Sequence, residues 1–234
     1  MKRIIFITVI LCSILFSCKK DFGTLVTESR PAGPINKIIL DHKINLTLIQ
    51  DNFENLYVVA GSKSIGSVST EIKDSVLTIQ NLDNSSINAP GNEMEVRVGV
   101  TNLQMIEYRG SGNVKSVNTL MPSSFTIVSS KGAGIIDLSI ETGHLVAGIY
   151  EENADFILKG KANSAYVYCA SRGSIDMKEM EVKKMNMVYS SVRNGFVWAT
   201  DSLTGTIYHT GNVFYKGTPV MQIEEKSSGK FLVY

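Results

Sequence analysis

Cysteine, histidine and proline are scarce in this chain, and neither sign of charge is in excess. Its 234 residues hold 3 Cys, 3 His and 5 Pro, with 23 Lys and Arg against 22 Asp and Glu. Each shortage excludes something. Cys12 and Cys18 belong to an N-terminal export segment, so Cys169 stands alone and no intrachain disulfide is expected. Its expected role is that of a small buried apolar residue. His42, His144 and His209 are far apart, and no H-x-x-x-H, C-x-x-C or EF-hand loop occurs. No metal or other cofactor is therefore expected. A G-x-S-x-G nucleophile elbow and a P-loop are missing as well, so no catalytic residue can be named. Balanced charge leaves no electrostatic footprint for nucleic acid. No 3.6-residue apolar period is sustained, which excludes helical repeats, while 19 Gly and 9 Tyr lean towards β structure.

What is present begins with an export signal. Met1-Lys2-Arg3 is a short basic start, and Ile4 to Phe16 is apolar except for Thr8 and Ser13. This run is shorter than the ~20 residues a membrane span needs and suits a signal peptide over residues 1–17. Leu15-Phe16-Ser17-Cys18 resembles a lipobox. The resemblance implies cleavage before Cys18 and its lipidation with a diacylglyceryl thioether and an amide-linked acyl chain such as palmitate. The membrane is then the first partner, reached through the outer-membrane anchor on Cys18. Lys19-Lys20-Asp21 is similar to the charged signals that favour the cell surface over the periplasmic face. Lys19 to Pro34 has no apolar period and ends in Pro31-Ala32-Gly33-Pro34, so residues 18–34 read as a lipidated Cys and a tether. Extended, that tether would reach roughly 50 Å.

The rest of the chain repeats a five-residue unit, small-x-apolar-x-apolar. Its copies begin at Gly112, Gly134, Ala154, Gly173, Gly195, Gly211 and Gly229, with steps of 22, 20, 19, 22, 16 and 18. Alternate residues of a strand face opposite ways, so positions three and five face inward and position four outward. The small first residue is expected to supply the positive φ of a tight corner. A unit of this size cannot bury its own apolar face, but stacked units can. A second alternation precedes several copies, for example Phe125, Ile127 and Ser129, or Leu145, Ala147 and Ile149. Each coil should therefore hold at least two strands. The fold class expected over residues 35–234 is all-β, a β-solenoid with a less regular N-terminal part. Strands are expected within Ile38 to Ile49, split near Asp41-His42-Lys43, and at Leu56 to Ala60, Val76 to Ile79 and Met94 to Val100, with a loop from Asn81 to Asn92. A hairpin-built β-sandwich fits Ile35 to Val100 about as well.

Arg109-Gly110-Ser111-Gly112-Asn113-Val114 forms a G-S-G-x-V element after two strands, degenerate copies follow, and Tyr215-Lys216-Gly217-Thr218-Pro219 closes the series. This order resembles the putative auto-transporter adhesin, head GIN domain family. The resemblance implies a right-handed parallel β-helix with a pectin lyase-like scaffold but without that scaffold's catalytic residues, and a proposed role in adhesion.

Position four carries the candidate sites. Trp198, Phe214 and Leu232 fall there in successive copies, and form a candidate binding ridge for a protein or glycan. Asp137 and Asp176 share the position two copies apart, about 10 Å from each other, which reads as a solvated surface rather than a metal site. Asp74-Ser75-Val76 and Asp201-Ser202-Leu203 resemble O-glycosylation acceptors at Ser75 and Ser202. The leading functional expectation is a non-enzymatic envelope lipoprotein that binds a surface component. The alternatives are a carbohydrate-active enzyme, which needs converging carboxylates, and a passive structural envelope protein.

Overall fold

The computed structural model describes residues 21–52, 55–83, 93–151 and 153–234. The signal peptide, Cys12, Cys18 and most of the expected Asn81-to-Asn92 loop lie outside them. The described strands are β1 (Leu25–Pro31), β2 (Lys37–Leu40), β3 (Asn45–Gln50), β4 (Asn55–Gly61), β5 (Val68–Lys73), β6 (Val76–Asn81), β7 (Glu95–Val100), β8 (Met105–Tyr108) and β9 (Val114–Ser116). They continue with β10 (Ser124–Ser129), β11 (Ile135–Ile149), β12 (Asp155–Ser171), β13 (Ser174–Ser191), β14 (Gly195–Ile207), β15 (Val213–Lys216), β16 (Val220–Glu225) and β17 (Phe231–Val233). No α-helix occurs among the described residues.

Parallel pairing builds a β-solenoid with two long faces. The first face stacks β7, β3, β9, the starts of β11 to β14, β15 and β17. The second stacks β6, β2, β8, β10, the ends of β11 to β14, and β16. Strands β11 to β14 run across both faces, so the chain turns one corner without leaving the ladder. Small residues turn the other corner. Between the faces, Ile, Leu, Val, Phe and Met side chains from every coil form one continuous buried core.

The N-terminal coils stack out of chain order, which explains their weaker repeat. β2 lies between β6 and β8, and β3 between β7 and β9. The excursion between them supplies antiparallel strands. β4 pairs with β7 and β1, and β5 with β6. Inward Leu56, Val58 and Ala60 of β4 and Val68 of β5 cover the end of the core. Parallel pairing of β2, β6 and β8 rules against the sandwich alternative. The antiparallel cap also shields a sheet edge that would otherwise invite pairing.

Two sequence expectations change here. The stretch expected to be a tether contains β1, whose residues pair in register from Leu25↔Gly61 to Pro31↔Asn55. β1 is exposed almost throughout, so it leaves no apolar alternation to read. The corner glycines, in turn, do not use positive φ. Among the described glycines only Gly23, Gly160 and Gly217 have it. What the corner demands is room. A Cβ on Gly134 would lie 2.4 Å from the Gly112 carbonyl oxygen and 2.2 Å from the Tyr108 hydroxyl, and one on Gly112 would lie 2.0 Å from the Ile44 carbonyl oxygen. Stacked coils bring each corner's carbonyl against the next corner's Cα.

Candidate functional site

The ladder fixes which outward side chains become neighbours. Ile136 pairs with Val114, Asp155 with Ile135 and Ser174, Asp176 with Phe196, Val213 with Gly195 and Phe231. Carried back to the corner, these registers align Gly112, Gly134, Ala154, Gly173, Arg193, Gly211 and Gly229. The steps become 22, 20, 19, 20, 18 and 18. Arg193, not Gly195, occupies the corner of the fifth copy. A repeat keyed to small residues slides to the nearest glycine, two residues late. That slip preserves which side chains face inward but changes who stands beside whom. Gly195 in fact faces the core, where the Tyr189 ring fills its space: a Cβ there would lie 2.9 Å from the ring.

The outward column therefore reads Lys115, Asp137, Ile157, Asp176, Phe196, Phe214, Leu232. Phe214 and Leu232 are neighbours, as expected from the sequence, but Trp198 is not in their column. Its place is taken by Phe196. Trp198 sits between Glu181 and Lys216 in the next outward column, with the Lys216 ammonium 3.8 Å over its ring. The Phe196 and Phe214 rings stack at 5.2 Å with 18° between planes, and Tyr234 meets Phe196 edge-on at 5.9 Å. Lys178 lies 3.8 Å over the Phe196 ring and pairs with Asp176 at 2.9 Å. Phe196 and Phe214 are half-buried, while Leu232 is 40% and Tyr234 45% exposed. Burial and the nearby Asp176 charge raise the Tyr234 phenol above its ordinary range, so it stays protonated at neutral pH. The column is a small apolar block, fenced by a Lys–Asp pair at one end and open at the β17 edge.

A second outward apolar group escaped the sequence analysis. On the other face Val128, Val146, Tyr166, Tyr168 and Val188 are half-buried neighbours, and Tyr150 stacks on Tyr168 at 4.9 Å. Their signal was available, since each alternates with the inward residues of the second strand.

The carboxylates do not converge. Asp137 and Asp176 share a column with Ile157 between them, and each is tied to a lysine, Lys159 and Lys178, at 2.9 Å. Glu141, Lys161 and Glu181 alternate in sign up a column beyond that of Ser139, Lys159 and Glu179. Lys37 and Arg109 flank Glu107, and the Lys37 bond, outweighing burial, holds its carboxyl below the usual range. Among the described residues, no three His, Cys, Asp or Glu side chains form a group able to hold a metal.

Polar corners are ordered by side-chain amides instead. The Asn45 Oδ1 accepts from the Asn113 N–H at 2.8 Å, and Asn113 Oδ1 from the Ile135 N–H at 3.1 Å. Asn194 and Asn212 repeat the arrangement towards Asn212 and Lys230 at 3.0 and 2.9 Å. Cys169 is fully buried in an inward column between Ile149 and Tyr189. Burial pushes its thiol up to about 12, so it is not a nucleophile at neutral pH. Ser75 lies in the two-residue turn between β5 and β6, where Asp74 and Ser75 have φ of 51° and 62°. That is the positive-φ hairpin loop. Ser202 starts the second-face part of β14, half-exposed.

Several known proteins share this architecture. The crystal structure of a putative adhesin from Bacteroides fragilis superposes with a TM-score of 0.79 at 22% identity, covering 90% of this chain and 97% of that one. A putative adhesin from Parabacteroides merdae gives 0.65 at 19% identity over 91% and 97%. A protein from Parabacteroides distasonis described as a putative lipid binding protein gives 0.68 at 18% identity over 91% and 97%. At these identities the likeness shows the fold. No match was found among proteins of curated function. No helix of the described residues is long and apolar enough to cross a membrane. The sequence pattern of one family, however, matches residues 34–219. The chain thus belongs to the putative auto-transporter adhesin, head GIN domain family.

Proposed function

We propose that this protein is a non-enzymatic envelope lipoprotein, anchored through Cys18 in the outer membrane and facing the cell surface, that binds a protein partner at the β15–β17 end of its first face. The observation that carries this reading is the outward block of Phe196, Phe214, Leu232 and Tyr234 beside the edge of β17. Among the described residues β17 pairs on one side only, with β15. An incoming strand would extend the ladder and the apolar column together. The stacked geometry favours protein over glycan. Phe196 and Phe214 spend their ring faces on each other, leaving edges rather than a flat platform for a sugar. The adhesin names of the family and of the Bacteroides and Parabacteroides proteins agree with a binding role.

The test is a screen of purified envelope proteins and an envelope-glycan array against wild-type protein and a Phe196→Ala/Phe214→Ala variant. We expect a protein ligand whose binding falls at least tenfold in the variant, with the melting transition still cooperative. A glycan ligand insensitive to the variant would overturn the assignment.

A further inference from the structure

We infer that the antiparallel cap, through the start of β1 and the β4 end, rests on the phospholipid surface, so that the solenoid stands on the membrane with its β15–β17 end outermost. This rests on the Cys18 anchor proposed above. Residues bound to the β4 end lie much closer in sequence to that anchor than a tether reaching to Pro34 would allow. Phe22 is only 8% exposed. Its carbonyl accepts from the Lys63 N–H at 3.0 Å, and the Thr24 carbonyl accepts from the Ser62 N–H at 2.8 Å. Asp21 forms an ion pair with Lys63 and accepts from the Gly23 N–H at 2.9 Å. At Gly61, a Cβ would lie 2.2 Å from the Phe22 carbonyl oxygen, so the chain is laid tightly on the β4 end.

Four residue steps separate Cys18 from Phe22. Fully extended they span about 14 Å. A lipid on Cys18 therefore holds the cap at the headgroup layer, not roughly 50 Å away. The surface next to the attachment suits that layer. Leu25 is 63% and Val26 37% exposed, on an edge strand with no strand beyond it among the described residues. Lys63 is exposed and paired with Asp21, and Lys19 and Lys20 precede that segment in sequence, so three lysines stand against one carboxylate there. Apolar side chains beside basic ones match the boundary of an anionic phospholipid surface. The stack fixes the remainder of the orientation. From β7 to β17 the first face holds nine parallel strands, and at about 4.8 Å per step the column end stands roughly 40 Å beyond the cap.

The test uses the full chain, acylated in a Gram-negative host and reconstituted into phosphatidylethanolamine–phosphatidylglycerol vesicles that carry a nitroxide headgroup quencher. Fluorophores are attached at Leu25→Cys or Val220→Cys in a Cys169→Ala background. Quenching at residue 25 is expected to exceed that at residue 220 at least threefold. It is also expected to fall to the residue-220 level when ten Gly/Ser residues are inserted between Lys20 and Asp21. Equal, weak quenching of a protein that floats with the vesicles and carries the acyl mass on Cys18 would overturn this inference alone. So would a dimer that shields residue 25 from the lipid. A protein lacking the acyl mass and failing to float would overturn the anchor and, with it, this orientation.

Discussion

At single positions this fold is governed by distance between coils. Position one of the repeat is small in six of its seven copies, Arg193 being the exception, because the preceding coil's carbonyl stands where a side chain would begin. Ala154 shows that one methyl is tolerated where the neighbours leave space, whereas Gly134 is enclosed by Tyr108 and the Gly112 carbonyl. Gly134→Ala should therefore destabilise the protein by about 1–3 kcal/mol, the usual cost of overpacking. Chemical denaturation of the two proteins checks this, and an unchanged midpoint would show that the corner yields. The requirement for small residues was legible in the sequence, but its cause was not. A spacing of glycines cannot distinguish a φ requirement from a carbonyl in the way. Nor could the asparagine ladders be read, because position two looks free until the coils are stacked in register.

Strand registers decide the candidate site. Inward and outward parity was readable from the sequence, since apolar residues recur at positions three and five. Neighbour relations required the register, and a single arginine at a corner displaced it by two. The consequence can be measured with engineered cysteine pairs in a Cys169→Ala background. Phe196 and Phe214 are directly opposite on adjacent strands, so Phe196→Cys/Phe214→Cys should form a disulfide under mild oxidation. Trp198→Cys/Phe214→Cys places the Cα atoms about 8 Å apart, beyond the usual 4.4–6.8 Å range, and should not. Mapping of the bridged peptides reads the result, and the opposite pattern would restore the sequence-derived ridge. The elements that the sequence hid are those without alternation. β1 is exposed on nearly every residue, and the Asp74–Ser75 turn of the β5–β6 hairpin lacks the glycine that normally marks such loops.

On the scale of the whole molecule, the two ends differ. At the β6–β7 end, antiparallel strands cover the core, and Leu77, Ile79, Val96 and Val98 are at most 1% exposed. At the other end, the inward Ile223 and Val233 are 41% and 69% exposed, beside the aromatic column. Terminal coils of a solenoid normally need a polar cap. A solenoid closed at its β6–β7 end and apolar at its β15–β17 end is built to present the latter to something else. The solenoid class was readable from the repeat, and the parallel ladders of successive coils bear it out. The polarity of the stack depends on β1, β4 and β5, whose antiparallel placement no local pattern announces.

The measurement that bears most directly on this account is site-specific photocrosslinking in the native host, with benzoylphenylalanine placed at Leu232 or, as a remote control, at Thr78. The account predicts a discrete protein adduct from position 232 that is absent from position 78 and lost when Phe196 and Phe214 are both changed to Ala. Equal adducts from both positions, or an adduct at 232 that survives the double substitution, would contradict it.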